Sequence, residues 1–193
     1  MFCNACVPYI VRVNGYTKGE SLFLKGKKIL VYRNEKAINY FLENEIAAKI
    51  TNAVKMNGYT AVDQLEDADY VLLFNYGIDQ GNTYSRTYSV GGTQLNIYTG
   101  QLAPTTSVGS TTETEYHRFL LMNLFEANGL SEGSKPVWVG EINSRGSSAD
   151  LRNVIDYLIL GAFEHFGANT VQQKRHDLFE TDPRLKTLYE SSQ

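Results

Sequence analysis

The chain has 193 residues, and its 18 basic and 21 acidic side chains give a net charge of −3 at pH 7 with a pI near 5.6. This length fits one domain large enough to bury a hydrophobic core. The basic residues are scattered, which argues against a nucleic-acid-binding protein, and no window approaches the roughly 20 apolar residues of a membrane-spanning helix. We therefore expect a single globular domain that binds no nucleic acid.

The only two cysteines, Cys3 and Cys6, stand in C-x-x-C spacing at the start of the chain. Redox and zinc-binding interpretations are weak, because residues 7–13 have an extended character and no second Cys or His pair follows. A bacterial lipoprotein would carry its lipid on one of these cysteines after an export signal, but the sequence shows no such signal upstream. Two incidental thiols or a small disulfide explain the spacing equally well. Residues 1–26 are interpreted as an extension, either a linker or a lipid-anchored segment.

Residues 27–76 predict a strand, a helix and a second strand. Residues 28–33 and 70–76 are apolar on both faces, as expected for central strands that lie side by side. Between them, apolar residues recur at three- and four-residue steps. Asn34 is the predicted N-cap, and Asn57-Gly58 is the predicted end of the helix. The apolar face of this helix comprises Ile38, Phe41, Leu42, Ile46, Ile50, Ala53 and Val54.

Two alternating segments, 83–90 and 93–99, flank Gly91-Gly92, which predicts a β-hairpin turning at the two glycines. The hairpin is expected to be an edge or a projecting arm, since its few apolar side chains stand among polar ones. Residues 100–110 are predicted to form a loop. The hairpin residues proposed to contact a partner are Tyr84, Tyr88, Ile97 and Tyr98.

Residues 111–125 could form a buried strand or a helix, and we favour a strand that pairs with residues 136–142 as a second hairpin. Trp138 and Gly140 then share a face. Residues 151–166 predict a second long helix, which begins at a capping box of Ser147 and Asp150 and packs beside the first. A short tail helix after residues 181–183 is expected to dock on the body or on a partner through Leu185, Leu188 and Tyr189.

Catalytic chemistry finds little support in the sequence. The three histidines, His117, His165 and His176, lie in separate elements without metal-ligand spacing. The acidic turn at residues 63–69 lacks the pattern of a calcium loop, and the nucleophile-elbow, P-loop and dinucleotide motifs are absent. We therefore expect no enzyme activity, no metal site and no cofactor.

The order of elements predicts an α+β fold: a mixed sheet of about five or six strands with two long helices packed on one face. Residues 27–167 are expected to form the domain, and residues 168–193 a tail that contains the short helix.

Two stretches resemble uncharacterised lipoproteins of bacterial outer membranes, whose α/β body is similar to the N-terminal domain of TolB. The first is residues 44–76, with Asn57-Gly58-Tyr59 and residues 68–71; the second is residues 136–140 with the helix that follows. The resemblance implies a periplasm-facing, non-enzymatic domain, anchored to the outer membrane through an N-terminal lipid and bound to other envelope proteins. A secretion or motor complex would be such an assembly. A thiol-redox enzyme that uses Cys3 and Cys6 and a periplasmic small-ligand-binding domain are the alternatives.

Overall fold

A computed structural model describes residues 7–17, 26–95 and 102–190, and these residues form an α+β fold of eight strands and three helices. The α+β class agrees with the sequence, although the described sheet contains more than the expected five or six strands. The strands are β1 (Tyr9–Thr17), β2 (Lys28–Tyr32), β3 (Thr60–Val62), β4 (Tyr70–Ile78), β5 (Asn82–Leu95), β6 (Leu102–Glu126), β7 (Trp138–Gly146) and β8 (Lys174–Leu178). The helices are α1 (Tyr40–Met56), α2 (Ile155–Phe163) and α3 (Pro183–Glu190).

The central sheet has the strand order β3-β2-β4-β6-β7-β1-β8, and β5 pairs with β6 outside this path. β2 is parallel to β3 and β4, as expected for strands joined through α1, and the remaining pairs are antiparallel. The predicted pairing of residues 28–33 with 70–76, and that of 111–125 with 136–142, is confirmed. Residues 111–125 are a strand, which resolves the ambiguity of that segment.

The helices cover one face of the sheet. α1 and α2 lie side by side against the strands, as predicted, and α3 packs against both. In the residues described, no helix is both long enough and apolar enough to cross a lipid bilayer. The centre of the core is made by fully buried side chains from the sheet and from α1 and α2, including Ile46, Ile50, Leu72, Leu120, Met122, Trp138, Ile155 and Leu158.

α1 begins later than the sequence predicted. Asn39 is the N-cap, since its Oδ1 accepts a hydrogen bond from the amide of Leu42 at 3.1 Å. Asn34 instead closes a local turn by accepting a hydrogen bond from the Lys36 amide at 3.0 Å. Ile38 therefore precedes the helix and is fully exposed, and Phe41 in its first turn is 79% exposed.

The domain extends beyond both predicted boundaries. β1 is an interior strand between β7 and β8, with Val11 and Val13 completely buried, so residues 9–17 are part of the body rather than of an extension. β8 completes the sheet on the far side of β1, and α3 packs on α1 and α2. The described part of residues 168–193 therefore belongs to the domain, because its backbone and side chains complete the sheet and the helical layer.

The turn predicted at Gly91-Gly92 is wrong. Both glycines continue β5 and pair with Thr106 and Thr105 of β6, and neither has the positive φ that a two-residue hairpin turn requires. The described part of the predicted loop 100–110 belongs to β6. The second helix is also shorter than predicted: residues 151–153 form a 3₁₀ turn capped by Asp150, and α2 follows it.

Candidate functional site

The long hairpin projects from the body and forms the largest candidate surface. The arm comprises β5 and residues 102–115 of β6, and in the described part of the chain β5 pairs with β6 alone. The 14 residues of β5 span roughly 45 Å at about 3.3 Å per residue. The arm leaves the body at Asp79, whose Oδ1 accepts hydrogen bonds from the Gly81 and His117 amides at 3.0 and 2.9 Å. These hydrogen bonds fix the backbone at the point where the arm begins.

One face of the arm carries an aromatic row. Tyr84, Arg86, Tyr88 and Val90 alternate along β5 and therefore share a face. Tyr84 and Tyr88 are each about half exposed, and Val90 is exposed as well. The ring of Tyr88 lies across Gly109, where a Cβ would come within 2.6 Å of the ring. This packing across the hairpin holds the Tyr88 ring against the arm while its other side faces solvent.

The other predicted interaction residues are divided between the body and residues outside the described part of the chain. Ile97 and Tyr98, like Cys3 and Cys6, lie outside the described residues. In α3, Leu185 is partly buried against the core, whereas Leu188 is fully buried in it. Leu188 therefore packs within the domain and has no surface with which to contact a partner.

Tyr189 is 52% exposed and covers one side of a buried charge cluster that joins the three helices. The ammonium of Lys49 lies 3.0 Å from Glu45 and 2.8 Å from Asp156, and 4.6 Å from the centre of the Tyr189 ring. The Tyr189 hydroxyl donates to Asp156. Burial by itself lowers the pKa of Lys49, but the charges of Asp156 and Glu45 outweigh it and the pKa is raised. The ammonium is therefore a charged structural link and not a nucleophilic amine.

A cavity of about 500 Å³ lies beside the start of β1 and the end of β7, close to where the arm joins the body. Its lining comes from the start of β1, from Arg118 on β6, from residues 145–148 at the end of β7, and from Glu180. Arg118 is only 2% exposed. Its Nε and Nη2 donate to the Ser148 carbonyl at 3.2 and 2.9 Å, and its Nη1 donates to Ser144 Oγ at 3.4 Å.

Arg118 is not among the residues predicted above, although its position along the strand indicates that it is buried. Arg118 is in phase with Leu120, Met122 and Leu124, the residues of β6 that face the helices. A charged residue in register with an apolar face is a buried charge whenever the strand is central.

Two of the histidines, separate in sequence, meet in the structure. Nε2 of His165, just after α2, lies 3.0 Å from Nε2 of His176 on β8. Burial, together with the charge of His176, lowers the pKa of His165. Within the described ranges, no group of three or more His, Cys, Asp or Glu side chains is placed to hold a metal ion. The pair alone does not make a metal centre.

No family model and no curated protein matches the sequence. Among solved structures, a PDZ domain protein from Parabacteroides distasonis is similar with a TM-score of 0.50 and 10% identity, over 88% of this chain and 39% of that one. This similarity shows the fold alone, and the chain spans 39% of that protein's length. Weaker similarities include the PelC dodecamer from Paraburkholderia phytofirmans, with a TM-score of 0.44 and 14% identity over 82% and 98% of the two chains. A DUF4136 family protein from Bacteroides thetaiotaomicron gives 0.43 and 15%, over 81% and 95%.

Proposed function

We propose that this chain is a non-catalytic interaction domain of the bacterial cell envelope, with a TolB-like body, that serves as a subunit of a larger outer-membrane or periplasmic assembly such as a secretion or motor complex. The observation that carries the proposal is the arm. Every described side chain from Asn82 to Thr93 is exposed, and among the residues that the structure describes β5 is paired with β6 alone and no helix packs on it as an element.

An unbacked two-stranded ribbon is marginally stable in water, and a partner that covers it would stabilise it. Among the described residues no strand pairs with the outer edge of β5, which therefore offers backbone groups to an added strand in the geometry of β-strand addition. The aromatic row supplies the other part of an interface, since tyrosine presents a large rigid surface with a polar end. The partner in this proposal is another envelope protein that contacts the tyrosine face of the arm.

The envelope setting is supported by the resemblance of the sequence to outer-membrane lipoproteins. In this proposal the chain faces the periplasm and is held at the membrane by a lipid on Cys3 or Cys6. Fractionation of the native cells tests this part: the protein should be recovered with the outer membrane. Substituting both cysteines with serine should release it, and recovery in the cytosol would contradict the proposed location.

Site-specific photo-crosslinking in the native cells tests the arm. A photoreactive phenylalanine analogue in place of Tyr84 or Tyr88 is expected to give the same discrete adduct with one envelope protein. The same analogue in place of Val108, which is exposed on the opposite face of the arm, is the matched control and should not give that adduct. Equal crosslinking from Val108, or no adduct from either tyrosine, would contradict the proposed contact face.

A further inference from the structure

The charge of Arg118 is buried without a counter-ion. Among the described residues, no carboxylate lies within 4.0 Å of its guanidinium, and its three hydrogen bonds go to a backbone carbonyl and a serine hydroxyl. Burial lowers the pKa of Arg118, and the electrostatic influence of the more distant Tyr9, Glu115 and Asp79 side chains offsets this only in part. A buried charge is costly when no opposite charge compensates it, so an anion beside Arg118 would be held strongly.

The guanidinium also has free donors. It carries five N–H groups, of which the described hydrogen bonds use one on each nitrogen, which leaves one on each terminal nitrogen. Gly146 makes room for this arrangement, because a Cβ at that position would lie 3.1 Å from both Nη1 and Nη2. These two N–H groups can donate to the oxygens of a carboxylate or phosphate, the anions that a guanidinium binds best.

The rest of the cavity fits an organic anion. Arg145 adds a second positive charge and Ser147 adds a hydroxyl group, whereas the Ser148 hydroxyl donates to the Asp150 carbonyl at 3.3 Å. Val7, Pro8 and Ile10 make an apolar wall, whereas Glu180 carries the one negative charge of the lining. The oxyanion therefore belongs at the arginine end, away from Glu180. The volume of about 500 Å³ is within the range of small-molecule sites, roughly 300–1,000 Å³.

We propose that this cavity binds a small organic oxyanion, with its carboxylate or phosphate against Arg118 and its apolar part against residues 7–10. The site lies beside the base of the arm, since Arg145 of its lining also lines the smaller pocket next to Tyr84. It would give the domain a ligand in addition to its protein partner.

Benzoate, phenyl phosphate and the neutral benzamide are suitable probes, titrated into the ¹⁵N-labelled chain at constant ionic strength and followed by amide chemical shifts. One of the anions, and not benzamide, is expected to cause saturable shifts centred on the amides of residues 146–148. Tighter binding of benzoate would identify a carboxylate site, and tighter binding of phenyl phosphate a phosphate site. If neither anion gives saturable shifts there, or if benzamide binds equally well, the proposal is wrong.

Arg118→Met is expected to weaken binding by about 10- to 100-fold, the effect of losing hydrogen bonds to a charged group. Arg175→Met is the matched control, since it makes the same change in net charge on the exposed β8 edge, and it should bind as the wild type does. Arg145→Met changes an exposed residue of the lining and should weaken binding several-fold even if the Arg118 variant does not fold. Unchanged affinity in a folded Arg118→Met variant, or in Arg145→Met, would overturn the proposal.

Discussion

The Lys49→Met substitution tests how much the buried charge cluster contributes to the free energy of unfolding. The Lys49 and Asp156 side chains are 4% and 8% exposed, and their charged groups lie 2.8 Å apart. In Lys49→Met, Asp156 keeps only the Tyr189 hydroxyl as a partner and is left as a buried, uncompensated carboxylate. Breaking a buried ion pair in this way costs about 3–5 kcal/mol. Each kcal/mol corresponds to about 2–4 °C in a chain of this size, so the melting temperature should fall by about 6–20 °C.

The double variant Lys49→Met/Asp156→Leu should recover most of this loss, because apolar residues often replace a buried pair without a net cost. Glu45 keeps its ion pair with Arg152 in that variant. Lys55→Met is the control, since Lys55 is an exposed lysine of the same helix, and it should change the free energy of unfolding by less than about 0.5 kcal/mol. Urea unfolding followed by circular dichroism measures all four proteins. A loss below about 1 kcal/mol in Lys49→Met, or a double variant no more stable than it, would refute this account.

Three further variants address pH dependence, close packing and the tail helix. Burial raises the pKa of Tyr76 to about 12, so the neutral Tyr76 side chain stabilises the fold fully below pH 10, and this stabilisation is lost as the pH rises to 12. In Tyr76→Phe, the urea midpoint should therefore fall less steeply between pH 10 and 12 than in the wild type. An unchanged slope would contradict the raised pKa of Tyr76. Gly140→Ala places a Cβ 2.3 Å from the buried ring of Trp138 and should cost about 1–3 kcal/mol in urea unfolding, whereas Gly91→Ala, with nothing within 4 Å, should cost clearly less. Leu188→Ala should cost about 2–5 kcal/mol by the same measurement, and a stability equal to that of the wild type would mean that α3 does not pack as described.

The sequence predicts elements well where one residue pattern favours one structure. The apolar residues of α1 from Ile46 to Val54 are buried as their spacing indicates, and Gly58, with a φ of +81°, ends the helix region as predicted. The start of α1 was misjudged because Asn34 and Asn39 are both plausible caps. Only the hydrogen bonds that each side chain makes decide between them.

Longer-range features could not be read from local patterns. Gly91-Gly92 suits an extended strand as well as a turn, and its pairing with β6 decides the outcome. β8 has the sequence KRHDL, in which apolar and polar residues do not alternate, so the pattern predicts no strand. As an edge strand, β8 is held to β1 through backbone hydrogen bonds, which do not require such alternation. To predict that Arg118 is buried, one must know both its phase along β6 and that β6 is a central strand. The meeting of His165 with His176 depends on how α2 packs on β1, which no spacing reveals.

The continuity of β6 gives the domain a mechanical property. A single strand of 25 residues runs from the arm into the sheet between β4 and β7, so a partner that pulls on the arm pulls directly on a central strand. Within the described part of the arm, β6 is held by its hydrogen bonds to β5 alone. In the body, a pull along β6 loads its bonds to both neighbouring strands simultaneously, since these bonds are perpendicular to the strand. The strands of the arm should therefore separate at a lower force than those of the body, and Arg118 lies where β6 passes from the arm into the body.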